Sequence, residues 1–279
     1  MNDVINEISS AQKASWNRFS PGWKKWDSLT MAFLAPHGRA IIEHLKLAGD
    51  SLVLDVAAGT GEPGLSMARA LSSGRVVLTD LSEGMLEVAR DKASAAAVSN
   101  VDFQVADACQ LPFEDDSFDA VSCRLGFMFF ADMQLAAQEM TRVLKPGGRI
   151  AVTVWGAPES NFWVTCMMQN ISKHIAVPPP AAGAPAMFRC AQPGLLSGLF
   201  TGTGLEAVAE SDIPCKLDCG SAQGYWDMMT EVAAPFVAAL STADEATVSA
   251  VKAGVVASMN ERHPDGAIDA LGRLVVAAK

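Results

Sequence analysis

One tyrosine, four histidines and no cluster of lysine or arginine are what this 279-residue sequence has least of. A formal net charge of −10 with no basic stripe to offset it repels a phosphodiester backbone, which argues against nucleic acid as a partner. The opening MNDVINEISSAQKASW has no basic stretch leading into an apolar run, and no later stretch approaches the roughly 18 apolar residues that a membrane span needs. The expectation is a cytoplasmic protein without a membrane span. The six cysteines, Cys109, Cys123, Cys166, Cys190, Cys215 and Cys219, form no C-x-x-C pair and have no histidine at ligand spacing, so neither a metal site nor a disulfide framework is expected. Scarcity also narrows the choice of a general base. His37 begins a helical stretch and His174 follows the fifth apolar run, making these two the candidate catalytic residues. His44 and His263 read as surface residues, and Tyr225 and Glu231 are outlying candidates on one helix pattern.

Half of the residues are apolar, enough for a sizeable core and for a single domain over 1–279. Short apolar strands at 51–56, 75–80, 101–106, 118–123 and 148–155 alternate with helical patterns near 63–72, 82–97 and 132–144. That alternation predicts an α/β fold, a Rossmann-like doubly wound and mostly parallel sheet with helices on both faces. Further strands at 205–217 and 271–278 bring the count to seven, with helices near 192–202, 221–240 and 243–261.

Before the core, residues 2–14 read as helix, Ser20-Pro21-Gly22 as a break, and Pro36 as the opening of a helix through Leu47. Trp16, Phe19, Trp23 and Trp26 either staple this segment to the core or form a lid. The run 177–186 (VPPPAAGAPA) is a linker or lid loop, and Lys145-Pro146-Gly147-Gly148 a turn.

The densest chemical signal is the turn Asp55-Val56-Ala57-Ala58-Gly59-Thr60-Gly61 between the first strand and the next helix. Glycine admits close approach of a ligand to the backbone, and a helix start presents unpaired N–H groups. Gly59, Gly61 and Gly64 also satisfy G-x-G-x-x-G, so a dinucleotide-binding oxidoreductase is a rival reading. Asp55 speaks against it, because a carboxylate repels a pyrophosphate and attracts an ammonium group. Ligands of such sheets lie at the carboxyl ends of the strands, where Asp55, Asp80 and Asp107 follow three successive strands.

VLDVAAGTG, VVLTDLSEGMLEVA, FQVADACQLPFEDDSFDAV and EMTRVLKPGGRIAVTVW, in that order, resemble the successive motifs of class I S-adenosylmethionine-dependent methyltransferases, closest to the ubiquinone and menaquinone biosynthesis group. The resemblance is strong over about 50–155. It implies S-adenosylmethionine as cofactor, S-adenosylhomocysteine as product, and methyl transfer to a small molecule at O, N, C or S. It implies that Asp55, Ala57, Gly59, Thr60 and Gly61 hold the methionine part, Ala57 standing where many relatives have glycine. Asp80 would take the ribose hydroxyls, Leu81 and Met85 line the nucleoside pocket, Asp107 and Ala108 meet the adenine, and Arg124 and Leu125 neighbour the cofactor. Residues 1–35 then form a lid and 156–240 the substrate-facing part, whose Trp, Met and Phe suit an apolar or aromatic acceptor. A non-catalytic protein that keeps the cofactor pocket is the other rival.

Overall fold

A computed structural model, describing residues 2–177, 181 and 183–279, joins seven strands into one sheet: β1 (Leu52–Val56), β2 (Arg75–Asp80), β3 (Val101–Val105), β4 (Phe118–Arg124), β5 (Leu144–Trp155), β6 (Glu206–Asp218) and β7 (Ala267–Ala278). Their order is β3-β2-β1-β4-β5-β7-β6. The first five are mutually parallel, and β7 runs antiparallel between β5 and β6. This is the expected α/β, mostly parallel, seven-stranded Rossmann-like architecture. The inserted antiparallel strand distinguishes it from the 3-2-1-4-5-6 order of dinucleotide-binding sheets.

Both sides of the sheet are covered, by α1 (Asn2–Lys25), α2 (Asp27–Leu45), α3 (Gly64–Ala70), α4 (Glu83–Ala95), α5 (Met133–Arg142), α6 (Phe162–Ser172), α7 (Leu195–Gly202), α8 (Ala222–Val232), α9 (Ala234–Leu240) and α10 (Glu245–Arg262). Successive strand residues point to opposite faces, so one strand feeds two cores. Val53 packs with Ile41 of α2, Leu65 of α3 and Leu86 of α4. Its neighbour Leu54 joins Met140 of α5, Met167 of α6 and Phe200 of α7 on the other side. No helix among the described residues is long and apolar enough to cross a membrane.

Both N-terminal prolines lie inside helices, contrary to the expected break at 20–22 and helix start at Pro36. Pro21 has no N–H to give the Asn17 carbonyl, and the Ser20 hydroxyl donates there instead, at 3.0 Å. Pro36 is carried by a helix whose Phe33, Leu34, Ile41 and Leu45 are all buried. That burial, at roughly 1.5–3 kcal/mol per side chain, outweighs the loss of one helical hydrogen bond. The helix expected over 221–240 is divided at Ala233, because Pro235 cannot continue α8 and begins a new first turn in α9. β5 starts at Leu144, so Lys145–Gly148 belongs to the strand and not to a turn outside it. Of the proline-rich run, residues 178–180 and 182 lie outside the described residues.

Candidate functional site

The glycine turn sits at the carboxyl end of β1, and its backbone explains its composition. Gly59 has φ +54°, a left-handed conformation that favours glycine, and a Cβ built there meets nothing within 4 Å. That open space is the floor of a cavity of about 300 Å³. Ala57 also lies in the left-handed region, at φ +55°. Its methyl fits because Gly126 opposes it: a Cβ on Gly126 would stand 2.5 Å from the Ala57 Cβ.

Asp80, at the end of β2, lies on the cavity wall, and its carboxylate accepts from Gly59 N at 2.9 Å and Ser82 N at 2.8 Å. It is no helix cap, since Ser82 fills that role by accepting from Met85 N at 3.1 Å. Burial pushes the Asp80 carboxyl up to about 6 while its backbone N–H donors pull it back. Asp107, beyond β3, shares the same wall and accepts from Cys109 N at 2.8 Å and from the Ser9 hydroxyl of α1 at 2.6 Å. Leu81, Met85 and Ala108 supply apolar surface between the two acids.

Arg124 ends β4 and reaches the cavity with Leu125. Its guanidinium donates to Met31 Sδ at 3.7 Å, and no carboxylate stands within ion-pair distance of it among the described residues. Burial lowers its pKa, opposed by the fields of Asp55, Glu62 and Asp27. A cation without a paired anion on a cavity wall is a place for a ligand's negative group.

Beyond these polar groups the cavity widens into an apolar chamber, with Trp16 and Trp23 of α1, Phe33 of α2, Trp155 of β5, Trp163 of α6 and Met228 of α8. Phe129, Phe130, Pro185–Met187 and Ala233–Pro235 close it. The tryptophans near the N-terminus and the run after Trp155 carried the signal for this chamber in the sequence. Ser9, Gln12 and Thr30 carried none, because their place on the wall depends on how α1 and α2 dock.

Three expected cofactor residues and both candidate bases are not on the wall. Asp55 is fully buried, accepting from Gly64 N at 3.0 Å and Ser122 Oγ at 2.6 Å. It therefore fixes the turn from beneath and is not among the residues that line the cavity. Burial pushes its carboxyl up to about 7, against the pull of Ser122, Arg124 and Gly64. Thr60 is buried toward Asp27, 3.4 Å away, and Gly61 is enclosed by Leu65 and Ala89. His37 is wholly buried between α2 and the sheet, 5.1 Å ring to ring from Trp155, and burial lowers its pKa to about 3. His37 is not among the residues that line the cavity. His174 is exposed on the turn after α6 and is likewise absent from the wall. Tyr225 is buried, its hydroxyl spent on the Trp163 carbonyl at 2.6 Å, and Glu231 pairs with Lys25 and Trp26 at the surface.

Residues 53–148 match the family described as a methyltransferase domain. Over 112 residues the chain is 44% identical to a ubiquinone/menaquinone biosynthesis C-methyltransferase of Marinomonas sp. (strain MWYL1), covering 39% of this chain and 45% of that one. It is 40% identical to a demethylmenaquinone methyltransferase of Clavibacter sepedonicus, covering 56% and 58%. The matched part thus spans about half the length of these relatives. In fold, the chain resembles the YcgJ protein of Bacillus subtilis, with a TM-score of 0.57 at 21% identity over 87% of this chain and 97% of that one. It also resembles a phosphoethanolamine N-methyltransferase of Haemonchus contortus solved with S-adenosylhomocysteine, with a TM-score of 0.54 at 18% identity over 87% and 52%.

Proposed function

Residues 53–148 belong to the methyltransferase-domain family, and on that premise we propose that the protein transfers a methyl group from S-adenosylmethionine to an apolar or aromatic small molecule. The observation that carries the reading is that Asp80 and Asp107 follow neighbouring strands onto one cavity wall, with Gly59 beneath, Arg124 beside them and the aromatic chamber beyond.

The wall fits such a ligand: an acceptor pair for a ribose at Asp80, an open glycine floor at Gly59, and at Arg124 an unpaired cation for an amino-acid carboxylate. When bound, the cofactor supplies a methyl group on a positively charged sulfur, which needs no further activation. The remaining work falls to the protein's own groups. Asp80 and Asp107 hold hydroxyl and amine donors, and Arg124 anchors the charged end. Asp55 keeps the turn in register through Gly64 and Ser122. The chamber seats the acceptor and excludes water, and alignment of this kind can lower a barrier by roughly 7–11 kcal/mol. Among the described residues the ionisable side chains on the cavity wall are Asp80, Asp107 and Arg124, all three assigned here to holding the cofactor, so in this reading transfer rests on alignment. The relatives' names direct the choice of acceptor to demethylmenaquinone and similar rings. The dinucleotide reading accounts for the glycines but not for the second acid, Asp107, on the wall, nor for the sheet order with antiparallel β7 between β5 and β6.

Incubation with methyl-labelled cofactor and a panel of quinols, phenols, thiols and amines tests the proposal. Label is expected in an apolar ring compound. Binding of S-adenosylhomocysteine without transfer to any acceptor would favour a non-catalytic role.

The pH response is also specified. Asp80 and Asp55 are raised above the ordinary 3.8 to about 6 and about 7, so their ionisation costs the folded state. Their contribution to stability is complete below about pH 4 and is lost as the pH climbs through 6 and 7. Affinity for S-adenosylhomocysteine runs the other way, falling roughly tenfold from pH 7 to pH 5 as the Asp80 carboxylate is protonated. Thermal denaturation and calorimetry across that range check the two opposite slopes.

A further inference from the structure

α1 lies entirely before residues 53–148, the part that matches the family, yet it meets the cavity along one face. Ser9, Gln12 and Trp16 stand at i, i+3 and i+7, the spacing that stacks side chains on one side of a helix. Ser9 donates to Asp107 Oδ2 at 2.6 Å, and Cys109 N holds the other oxygen at 2.8 Å, so the carboxylate is fixed from both ends. Three residues on, Gln12 Oε1 accepts from Trp16 Nε1 at 3.2 Å. Its amide nitrogen has no protein partner among the described residues, although Gln12 lies on the wall. A third contact keeps the helix in register: Asn17 Oδ1 accepts from Ser82 Oγ at 2.6 Å and Gly84 N at 3.0 Å, in the turn directly after Asp80.

The combination is an oriented acceptor with a free donor one helical turn away. A 6-aminopurine presents the complementary edge, an amine donor next to a ring-nitrogen acceptor. A 6-oxopurine presents the reverse, a carbonyl next to a ring N–H. We propose that α1 reads the base of the cofactor, Ser9 acting as a positioning residue that aims Asp107 at the exocyclic amine and Gln12 donating to the adjacent ring nitrogen. The proposal rests on the methyltransferase reading above. It adds a base-recognition element from outside the matched segment.

The test is calorimetric, with S-adenosylhomocysteine and S-inosylhomocysteine as ligands and no turnover. The unaltered protein is expected to prefer the adenosyl ligand by about 100-fold, since a site built around hydrogen bonds leaves buried groups unpaired with the inverted edge. Ser9→Ala and Gln12→Ala should each weaken the adenosyl ligand about tenfold and change the inosyl ligand less than about threefold, so the preference shrinks. Ser9→Thr keeps the hydroxyl and should retain the preference. Equal losses for both ligands in Ser9→Ala, with a fall in ligand-free melting temperature, would mean that Ser9 merely docks α1 and would overturn the proposal. So would unchanged binding in both alanine variants. If the unaltered protein binds neither nucleoside, the methyltransferase reading itself fails. If it binds both equally, only the base-reading role fails.

Discussion

Asp80→Ala is expected to raise the dissociation constant for S-adenosylhomocysteine by about 100-fold or more, measured by calorimetry at pH 7.5. The estimate takes two hydrogen bonds from ribose hydroxyls to a charged acceptor at roughly 1.5 kcal/mol each, with every 1.4 kcal/mol worth a factor of ten. Part of the loss is indirect, since the same carboxylate holds Gly59 N and Ser82 N and its removal loosens the turn that forms the cavity floor. Asp80→Asn separates the contributions: an amide oxygen still accepts from one backbone N–H, while the charge is gone. Asp91→Ala serves as the control. Asp91 is exposed and paired only with the exposed Lys24, a solvent-screened surface pair that contributes little, so binding should change less than about threefold. Equal losses at Asp80 and Asp91 would remove Asp80 from the site.

Gly272→Ala should produce a large loss of stability for a single added methyl group. A Cβ at Gly272 would stand 2.0 Å from His37 Cε1 and 2.8 Å from Nε2, in a layer where Trp155 and Cys215 already enclose the ring. Neither β7 nor α2 can retreat without disturbing the sheet. Overpacking typically costs about 1–3 kcal/mol and here should reach the upper end, lowering the melting temperature by roughly 6–10 °C. The double variant His37→Ala/Gly272→Ala removes the clash and should recover part of that loss. His37→Ala alone should lower stability through the cavity it leaves, by about 2–4 kcal/mol, while the turnover of the folded fraction is unchanged. A steep loss of turnover with stability intact would instead restore His37 as a base.

The largely buried strands β1, β2, β4 and β5 were legible as short apolar runs, and the edge strand β3, none of whose residues is buried, by the alternation of Val101, Phe103 and Val105 with polar residues. Asp80, Asp107 and the open glycine at 59 followed from their place at the strand ends. Asp55 was placed correctly along β1 but in the wrong direction. Strand alternation sets it on the side of Val53, which packs toward α3, and the Ser122 partner that holds it there comes from a strand 67 residues away. His37 misled for a similar reason: a polar residue at a proline-marked position resembles a helix start. α2 in fact begins nine residues before Pro36, and its buried face continues through His37. The part played by Ser9 was invisible, since nothing within α1 announces Asp107, 98 residues away. What the sequence withheld was tertiary docking, the term that local pattern does not encode.

The central claim is that the cavity above Gly59 holds an adenosyl amino acid. Calorimetric titration of the unaltered protein with S-adenosylhomocysteine and, in parallel, with NAD tests it most directly. Saturable one-to-one binding of the former, with no heat from the latter, is the predicted result. Binding of NAD with no response to S-adenosylhomocysteine would contradict it.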